Sequence, residues 1–141
     1  MRTATRDAVT GALAAVGLGS VPTWLRPYGV LSNGEKFRAD LARVVCEAPE
    51  AVVIDEFSSV IDRQIARFGA LAFGKAWRRT GGKCVLLSCH YDILDWLEPD
   101  WVFDTATCHF QRGRFGNGQS LTSRFGRRTN VTGTFLSRIT I

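Results

Sequence analysis

The stretch Ala51-Val52-Val53-Ile54-Asp55-Glu56-Phe57 decides the fold of this chain. An apolar, mostly β-branched run ends abruptly at two adjacent carboxylates. Such a run predicts a strand that is buried on both faces, as in a parallel sheet. Open α/β sheets bind their ligands just beyond the carboxyl ends of their strands. Asp55 and Glu56 are therefore the first candidates for a functional site.

A pair of adjacent carboxylates at this position suits the hydrolysis of a nucleoside triphosphate. Asp55 would hold Mg²⁺, directly or through water, and Glu56 would polarise the attacking water. A strand that simply ends in an acidic turn explains the pair equally well. The neighbouring segments have to distinguish the two explanations.

Composition indicates one folded domain without a membrane span. The chain has 141 residues, of which 45% are hydrophobic, and this is enough to bury a core. No apolar stretch approaches the ~20 residues that cross a bilayer. Residues 8–19 fit an amphipathic helix better than a signal peptide, because Asp7 interrupts the start and the run is short. We expect a cytoplasmic protein with its four cysteines as reduced thiols.

The net charge of +5 comes from the tail, residues 112–141. The tail contains six arginines and no acidic residue, with Phe115, Phe125 and Phe135 spaced by ten. Arginine with interleaved phenylalanine could bind single-stranded nucleic acid through charge and stacking. A disordered terminus is the simpler explanation and the one we favour, although Thr132 to Ile141 could add a short strand.

A second candidate site lies at Leu31-Ser32-Asn33-Gly34-Glu35, where a helix is predicted to begin. Ser32 followed three residues later by Glu35 is a capping box, and apolar residues recur at helical spacing from Phe37 onward. An ordinary helix N-terminus explains this pattern. The same hydroxyl, glycine and positive end of the helix dipole would also form an anion site. The residues alone leave both explanations open.

The remaining elements alternate between helix and strand. After an amino-terminal helix over 3–17, we predict a helix over about 62–80, a second buried strand over 83–88, a short helix over about 91–98, and strands over 101–105 and 107–111. This order predicts a right-handed parallel α/β layer. The polar ends of the first two strands, Asp55-Glu56 and Ser88 to His90, then share one edge of the sheet, which places His90 beside the two carboxylates.

Four motifs in this order resemble those of the ATP-binding cassette (ABC) ATPases. Leu31 to Glu35 is similar to the signature loop LSGGQ, Val52 to Glu56 to the Walker B strand, Ser58 to Asp62 to the D-loop, and His90 to the switch histidine. The resemblance covers roughly residues 8–111 and implies the carboxyl-terminal half of a nucleotide-binding domain. The implied fold is a partial P-loop NTPase (RecA-like) parallel sheet with flanking helices, preceded by part of the helical signature subdomain.

The implied organisation has three segments. Residues 1–48 form the helical signature-loop segment, residues 49–111 form the α/β segment with the Walker B, D-loop and switch-histidine motifs, and residues 112–141 form the basic tail.

The resemblance also implies a role for each matched residue. Asp55 would support Mg²⁺, Glu56 would be the general base or water-orienting group, and His90 would sense the γ-phosphate of ATP. The implied ATP-binding residues are Ser32, Asn33, Gly34, Glu35 and Asp62. Of these, Ser32 and Gly34 would contact the γ-phosphate of ATP bound by the opposite subunit, and Asp62 would lie at the interface of an ATP-dependent dimer.

Three residues depart from the family pattern. Asn33 replaces a glycine of the signature, and asparagine tolerates the unusual backbone angles that glycine allows. Glu35 replaces a glutamine, and a carboxylate is unfavourable near a triphosphate unless the capping box engages it. Phe57 stands where transporters usually have proline, which indicates a soluble, non-transport branch.

The phosphate loop of the family, GxxxxGK[ST], is expected a long stretch before the signature, and only about thirty residues come before it. Gly69 to Ala76 matches GxxxxGK, but Ala76 lacks the hydroxyl needed for Mg²⁺ and the segment lies within a predicted helix. The chain is then a fragment of a longer ATPase, a half-site subunit, or a degenerate cassette kept as a binding module. We favour the fragment, because an exposed parallel sheet edge is costly without partner strands.

The sequence therefore predicts the carboxyl-terminal half of an ABC-type ATPase that contributes to Mg-ATP binding and hydrolysis at a cassette dimer interface. It would need its missing amino-terminal half or a second ATPase subunit, and alone it would show negligible turnover. The alternative is a non-catalytic basic α/β module that binds nucleic acid through residues 112–141.

Overall fold

The computed structural model describes residues 4–112 and 135–139. Backbone contacts divide the chain into two units, and each unit combines two separate stretches of sequence. We call Met1–Pro49 with Val60–Thr80 the helical unit, and Glu50–Ser59 with Gly81–Ile141 the sheet unit. None of the helices within the described ranges is both long and apolar enough to cross a membrane.

From residue 4 onward, where the structure describes it, the helical unit contains four α-helices and one short 3-10 helix. These are α1 (Arg6–Ala15), α2 (Val21–Trp24), the 3-10 helix Tyr28–Val30, α3 (Asn33–Glu47) and α4 (Arg63–Trp77). Helices α1, α3 and α4 pack on one another, and Ala12, Leu41, Ala66, Ala70 and Phe73 are among their buried residues. Helix α4 therefore groups with α3, although in sequence it follows the first strand.

Both long helices begin at a side chain that caps their first turn. Ser32 and Glu35 form the predicted capping box at α3, and Asp62 caps α4 by accepting the N–H groups of Gln64 and Ile65. The stretch Gly69 to Ala76 that matches GxxxxGK lies within α4, as predicted, so it forms no phosphate loop.

In its described residues, the sheet unit contains five strands and one short helix. These are β1 (Ala51–Ile54), β2 (Lys83–Ser88), α5 (Ile93–Leu97), β3 (Trp101–Asp104), β4 (His109–Arg112) and β5 (Phe135–Ile139). The strand order across the sheet is β1-β2-β5-β3-β4. Strands β1 and β2 are parallel, with Val52 opposite Cys84, and the other neighbours are antiparallel.

The predicted parallel layer is therefore wrong beyond its first strand pair, although the mixture of helices and strands fits the predicted α/β class. Strand β5 lies between β2 and β3 and is antiparallel to both. Its insertion keeps β3 from pairing with β2 and makes the sheet mixed. Local periodicity could not show this, because β5 is distant in sequence from both neighbours.

The prediction that β1 is buried on both faces is also wrong. Within the described residues, β1 pairs with β2 only and is an edge strand. Val53 is 67% exposed, and Val52 and Ile54 are half-buried. The apolar run thus predicts the strand correctly. The burial of its side chains depends on the position of the strand in the sheet, which the run does not indicate.

Residues 135–139 form β5, which confirms the alternative prediction of a short strand within Thr132 to Ile141 and corrects the favoured prediction of disorder for these residues. This short segment is stabilised as a strand by backbone pairing with β2 on one side and with β3 on the other. Residues 113–134, 140 and 141 of the tail, which include Phe115 and Phe125 and most of the predicted nucleic-acid-binding stretch, lie outside the described residues.

Candidate functional site

The carboxylate pair lies at the carboxyl end of β1. Asp55 and Glu56 are both exposed, and the Glu56 N–H donates to Asp55 Oδ1 at 2.8 Å. Glu56 has a φ of 51° and Ser58 a φ of 64°. Both values lie in the left-handed region, which residues with a Cβ rarely adopt unless their surroundings impose it. The turn that presents the carboxylates is therefore a constrained one.

The hydroxyl of Ser88 connects this turn to the end of β2. Ser88 is 1% exposed, and its hydroxyl donates to the Phe57 carbonyl oxygen at 3.0 Å. The His90 N–H donates in turn to Ser88 Oγ at 3.2 Å. The Phe57 N–H also donates to the Leu87 carbonyl oxygen at 2.9 Å, which extends the β1–β2 pairing beyond Ile54. Asp55, Glu56 and His90 are thereby positioned at one edge of the sheet.

Sequence reasoning named Ser88 only as the polar end of a strand and missed its function as a connector. A signal was available in the alternation along β2, where Cys84, Leu86 and Ser88 are the buried residues. A serine at a buried position needs hydrogen-bond partners. At a strand end, the nearest candidates are the backbone groups of the adjoining loops.

The site offers a metal ion only part of a coordination shell. No group of three or more His, Cys, Asp or Glu side chains that could hold a metal occurs in the part of the chain that the structure describes. Magnesium at nucleotide sites takes one or two carboxylates and completes its octahedron with phosphate oxygens and water. The exposed Asp55 carboxylate fits that share of the shell.

The signature-like segment forms a closed capping box. The Glu35 N–H donates to Ser32 Oγ at 3.3 Å. Glu35 Oε2 accepts the Ser32 N–H and the Ser32 hydroxyl, each at 2.8 Å. These hydrogen bonds from the Ser32 backbone and side chain hold the pKa of Glu35 below its ordinary value. The carboxylate that replaces the family's glutamine is therefore engaged within the cap.

Gly34 has a packing explanation as well as a functional one. A Cβ at this position would meet Ile65 Cγ2 at 3.0 Å and Cδ1 at 3.1 Å. Ile65 also donates its N–H to Asp62 Oδ1 at 3.3 Å. The glycine thus lets the beginning of α3 approach the beginning of α4, and Ile65 connects both to Asp62. Asn33 and Asp62 are exposed at these two helix ends.

Arg38 fixes the first turn of α3 to the segment after α1. Its Nε donates to the Gly34 carbonyl oxygen at 3.1 Å, and its terminal nitrogen donates to the Gly17 carbonyl oxygen at 3.1 Å. Sequence reasoning did not single out this residue. It holds the candidate ATP-binding turn in place through backbone carbonyl groups.

The structure brings the predicted site residues together as two sets. Asp55, Glu56 and His90 lie in the sheet unit, and the signature residues 32–35 lie with Asp62 in the helical unit. Each set is organised by a residue that the sequence did not mark, Ser88 in the first and Ile65 in the second.

Comparison with known proteins gives a partial match. A stretch of 78 residues, 55% of this chain, is 33% identical to a protein of Nostoc sp. (strain PCC 7120) named "Putative ABC transporter ATP-binding protein". The match covers 28% of that protein's length. No family model matches the chain, and no solved structure matches it. The similarity supports a relationship to an ABC ATP-binding protein and leaves the role of each residue to be tested.

Proposed function

We propose that this chain supplies the carboxylate-bearing half of an ABC-type ATPase and acts on Mg-ATP together with a segment that carries a phosphate loop. The observation that carries the proposal is the exposed Asp55-Glu56 pair, held beside the end of β2 by the buried Ser88 hydroxyl. The similarity to an ABC ATP-binding protein supports ATP as the nucleotide.

In this proposal the two carboxylates divide the chemistry. Asp55 would hold Mg²⁺, and the bound ion would neutralise charge on the phosphates. Glu56 orients the attacking water and accepts its proton. Their spacing is restricted, because the Glu56 N–H is bonded to the Asp55 carboxylate and the turn between them is constrained. Both side chains are exposed and accessible to a nucleotide.

His90 acts as the sensor of the γ-phosphate in the same proposal. Its backbone N–H is fixed on Ser88 Oγ, while the residue itself is half-buried. A fixed backbone with a partly accessible imidazole suits a group that hydrogen-bonds a phosphate oxygen without leaving its place.

The helical unit contributes to ATP bound by the opposite subunit of an ATP-dependent dimer. Ser32 and Gly34 present the N-terminus of α3 to the γ-phosphate, with Asn33 beside them and Asp62 at the interface. Glu35 already accepts the Ser32 hydroxyl and N–H. The phosphate would therefore have to displace the Glu35 carboxylate from Ser32. We expect the N-terminus of α3 to bind the γ-phosphate more weakly than a signature loop that carries glutamine at this position.

The phosphate loop is assigned to a separate segment, because the stretch that matches GxxxxGK is helical. That segment would be the missing amino-terminal half of a longer ATPase or a second ATPase subunit. Either source makes the isolated chain inactive, because carboxylates without a phosphate cradle cannot position the triphosphate.

The test is ATP hydrolysis by the full chain, alone and mixed with a recombinant phosphate-loop segment (strand, GxxxxGKS, helix) from an ABC-type ATPase. We expect background phosphate release from the chain alone and Mg²⁺-dependent release from the mixture. Glu56→Gln should lower the rate of the mixture by about a hundredfold or more. Glu50→Gln is the matched control, since Glu50 is an exposed carboxylate at the opposite end of β1.

Two results would contradict the proposal. Turnover by the isolated chain that disappears in Glu56→Gln would show that no second segment is needed. Equal rates for the Glu56→Gln and Glu50→Gln mixtures would show that the carboxylate after β1 has no part in hydrolysis.

A further inference from the structure

Helix α4 is exposed along one of its sides. The opposite side is buried and carries Ala66, Ala70, Phe73 and Trp77. The exposed residues recur mostly at steps of three or four, which places them on a single side of the helix. These residues are Gln64, Arg67, Phe68, Leu71 and Lys75, and Arg79 is exposed in the turn that follows the helix. We call Arg67, Phe68, Leu71, Lys75 and Arg79 the outer face of α4.

The outer face of α4 is cationic. Residues 63–80 contain five Arg or Lys side chains and no Asp or Glu. Three of these cations, Arg67, Lys75 and Arg79, are exposed. Within the described ranges of the chain, no ion pair or side-chain hydrogen bond engages any of the three. The face is therefore complementary in charge to an anionic partner.

Two apolar side chains lie among these charges. Phe68 is 68% exposed and Leu71 is 43% exposed. Arg67 and Lys75 are about 12 Å apart along the helix axis, and both apolar residues lie within that interval. An exposed aromatic ring between cations is the combination with which proteins bind unstacked bases together with their phosphates.

We propose that the outer face of α4 binds single-stranded nucleic acid. Arg67, Lys75 and Arg79 contact the phosphates, and one base stacks on the ring of Phe68. A single strand is the substrate because the bases of a duplex already stack on one another and leave no free face for the ring. None of the five residues belongs to the candidate ATPase site, so this inference does not depend on the proposed function.

A protein partner fits the outer face less well. Stable protein interfaces take about 20–30 residues from each partner, and the outer face has only five. Its apolar part is limited to Phe68 and Leu71, with cations on both sides along the chain. A nucleic acid needs only a few cations and one stacking ring, because its affinity comes largely from the release of counterions.

A membrane surface also fits less well. A helix that lies in the membrane interface buries a wide apolar side among the lipids. The wide apolar side of α4 is already buried in the protein, and Phe73 and Trp77 on it are fully covered. The two apolar residues that remain outside do not form such a side.

The first test measures how binding depends on salt. Fluorescence anisotropy gives the affinity of the full chain for a labelled deoxythymidine oligonucleotide of about 20 nucleotides between about 50 and 200 mM salt. We compare wild type with the triple variant Arg67→Gln, Lys75→Gln, Arg79→Gln. The control triple variant carries the same change in net charge at exposed cations outside α4: Arg6→Gln, Arg26→Gln and Lys83→Gln.

The logarithm of the affinity falls with the logarithm of the salt concentration by about 0.7 for each phosphate neutralised on a single strand. The outer-face variant should therefore lower this slope by about 2, and the control variant should leave it unchanged. The same slope for wild type and the outer-face variant would overturn the inference, and so would equal effects of the two triple variants. Wild type that does not bind the oligonucleotide would overturn it as well.

The second test separates stacking from general apolar contact. Phe68→Leu keeps an apolar side chain but removes the ring, so it should lower the affinity about fivefold or more at every salt concentration without changing the slope. Phe68→Tyr keeps the ring and should bind as wild type does. Equal affinity of wild type and Phe68→Leu would contradict stacking.

Two further probes test the kind of partner. A duplex of the same length should bind more weakly than the single strand, and Phe68→Leu should not change its affinity. Vesicles of phosphatidylcholine with phosphatidylserine should bind wild type and the outer-face variant equally. Loss of vesicle binding in the outer-face variant, with oligonucleotide binding intact, would overturn the inference and identify a membrane surface as the partner.

Discussion

At the scale of single residues, the hydroxyl of Ser88 is the contact on which the candidate site depends most. It joins the loop after β1 to the loop after β2 through the Phe57 carbonyl oxygen and the His90 N–H. Both loops carry proposed catalytic side chains. A buried polar connector of this kind costs stability when it is removed, since its partners lose their hydrogen bonds inside the protein.

Replacing Ser88 by alanine should lower the free energy of unfolding by about 2 kcal/mol, because two backbone groups lose their partner at a buried position. Urea denaturation measures this loss. Ser59→Ala is the control, since the Ser59 hydroxyl donates to the Glu56 carbonyl oxygen at 2.9 Å from a half-buried position. The control should lose about 1 kcal/mol or less. Equal losses would contradict the connecting role of Ser88.

Glu35 gives a prediction that depends on pH. Its pKa in the folded protein is lowered from 4.5 by the hydrogen bonds from Ser32. The folded protein therefore binds this proton less readily than the unfolded chain, and the stabilisation is present above pH 4.5 and lost as the pH falls through the lowered pKa. Wild type should be more stable than Glu35→Gln near pH 7, and the difference should shrink below pH 4.5.

Urea denaturation of both proteins between pH 7 and about pH 3 measures that difference across the ordinary range of carboxyl pKa values. Glu50→Gln controls for the loss of one exposed carboxylate. A wild-type advantage that stays constant or grows as the pH falls would contradict the role of the capping box.

At the scale of elements, α3 and α4 approach each other at a glycine. A Cβ on Gly69 would lie 2.7 Å from Phe37 Cε1, which is closer than van der Waals contact allows. Gly69→Ala should therefore destabilise the protein, although alanine favours a helix interior by about 1 kcal/mol. The absence of a side chain at Gly69 thus allows α3 and α4 to pack closely.

The matched control is Gly11→Ala in α1, where an added Cβ would meet nothing within 4 Å. This change should raise the thermal midpoint, since only the helix propensity improves. Gly69→Ala should lower the midpoint, and Phe37→Leu combined with it should recover part of the loss. A higher midpoint for Gly69→Ala alone would show that α3 can move away freely.

The elements themselves were largely predictable, because their signals are local. The capping box at Ser32 and the helical spacing of apolar residues predicted α3 and α4 near their observed positions. Strand β1 was predicted from its β-branched residues, but its place at the edge was not. Edge or centre depends on which other strands pair with it, and β-branched residues are favoured in both.

Strand β5 shows the same limit more strongly. Residues 135–139 lie within Thr132 to Ile141, which the sequence offered as an alternative short strand, but the arginine and glycine of the surrounding tail made disorder the favoured prediction. The segment becomes a strand because two distant strands leave a gap of one strand between them. A single sequence contains no local sign of that gap.

At the scale of the whole molecule, the candidate site could be predicted as residues but not as an arrangement. The motif order placed Asp55, Glu56 and His90 together, and the structure brings their segments together through Ser88. The signature residues and Asp62 form a separate set in the helical unit. Their proposed use by an opposite subunit depends on a second polypeptide, which one chain cannot display.

The central claim is that Asp55 and Glu56 meet Mg-ATP when a phosphate-loop segment is present. Mn²⁺ takes the same oxygen ligands as Mg²⁺ and broadens the NMR signals of nearby nuclei, so it reports where the metal binds. We would record amide spectra of the isotopically labelled full chain with Mn²⁺, ATP and the recombinant phosphate-loop segment. We predict broadening of the Asp55, Glu56 and His90 signals only when all three additions are present. This broadening should be lost in Asp55→Asn but not in Glu50→Gln. Unbroadened signals at these three residues in the complete mixture would contradict it.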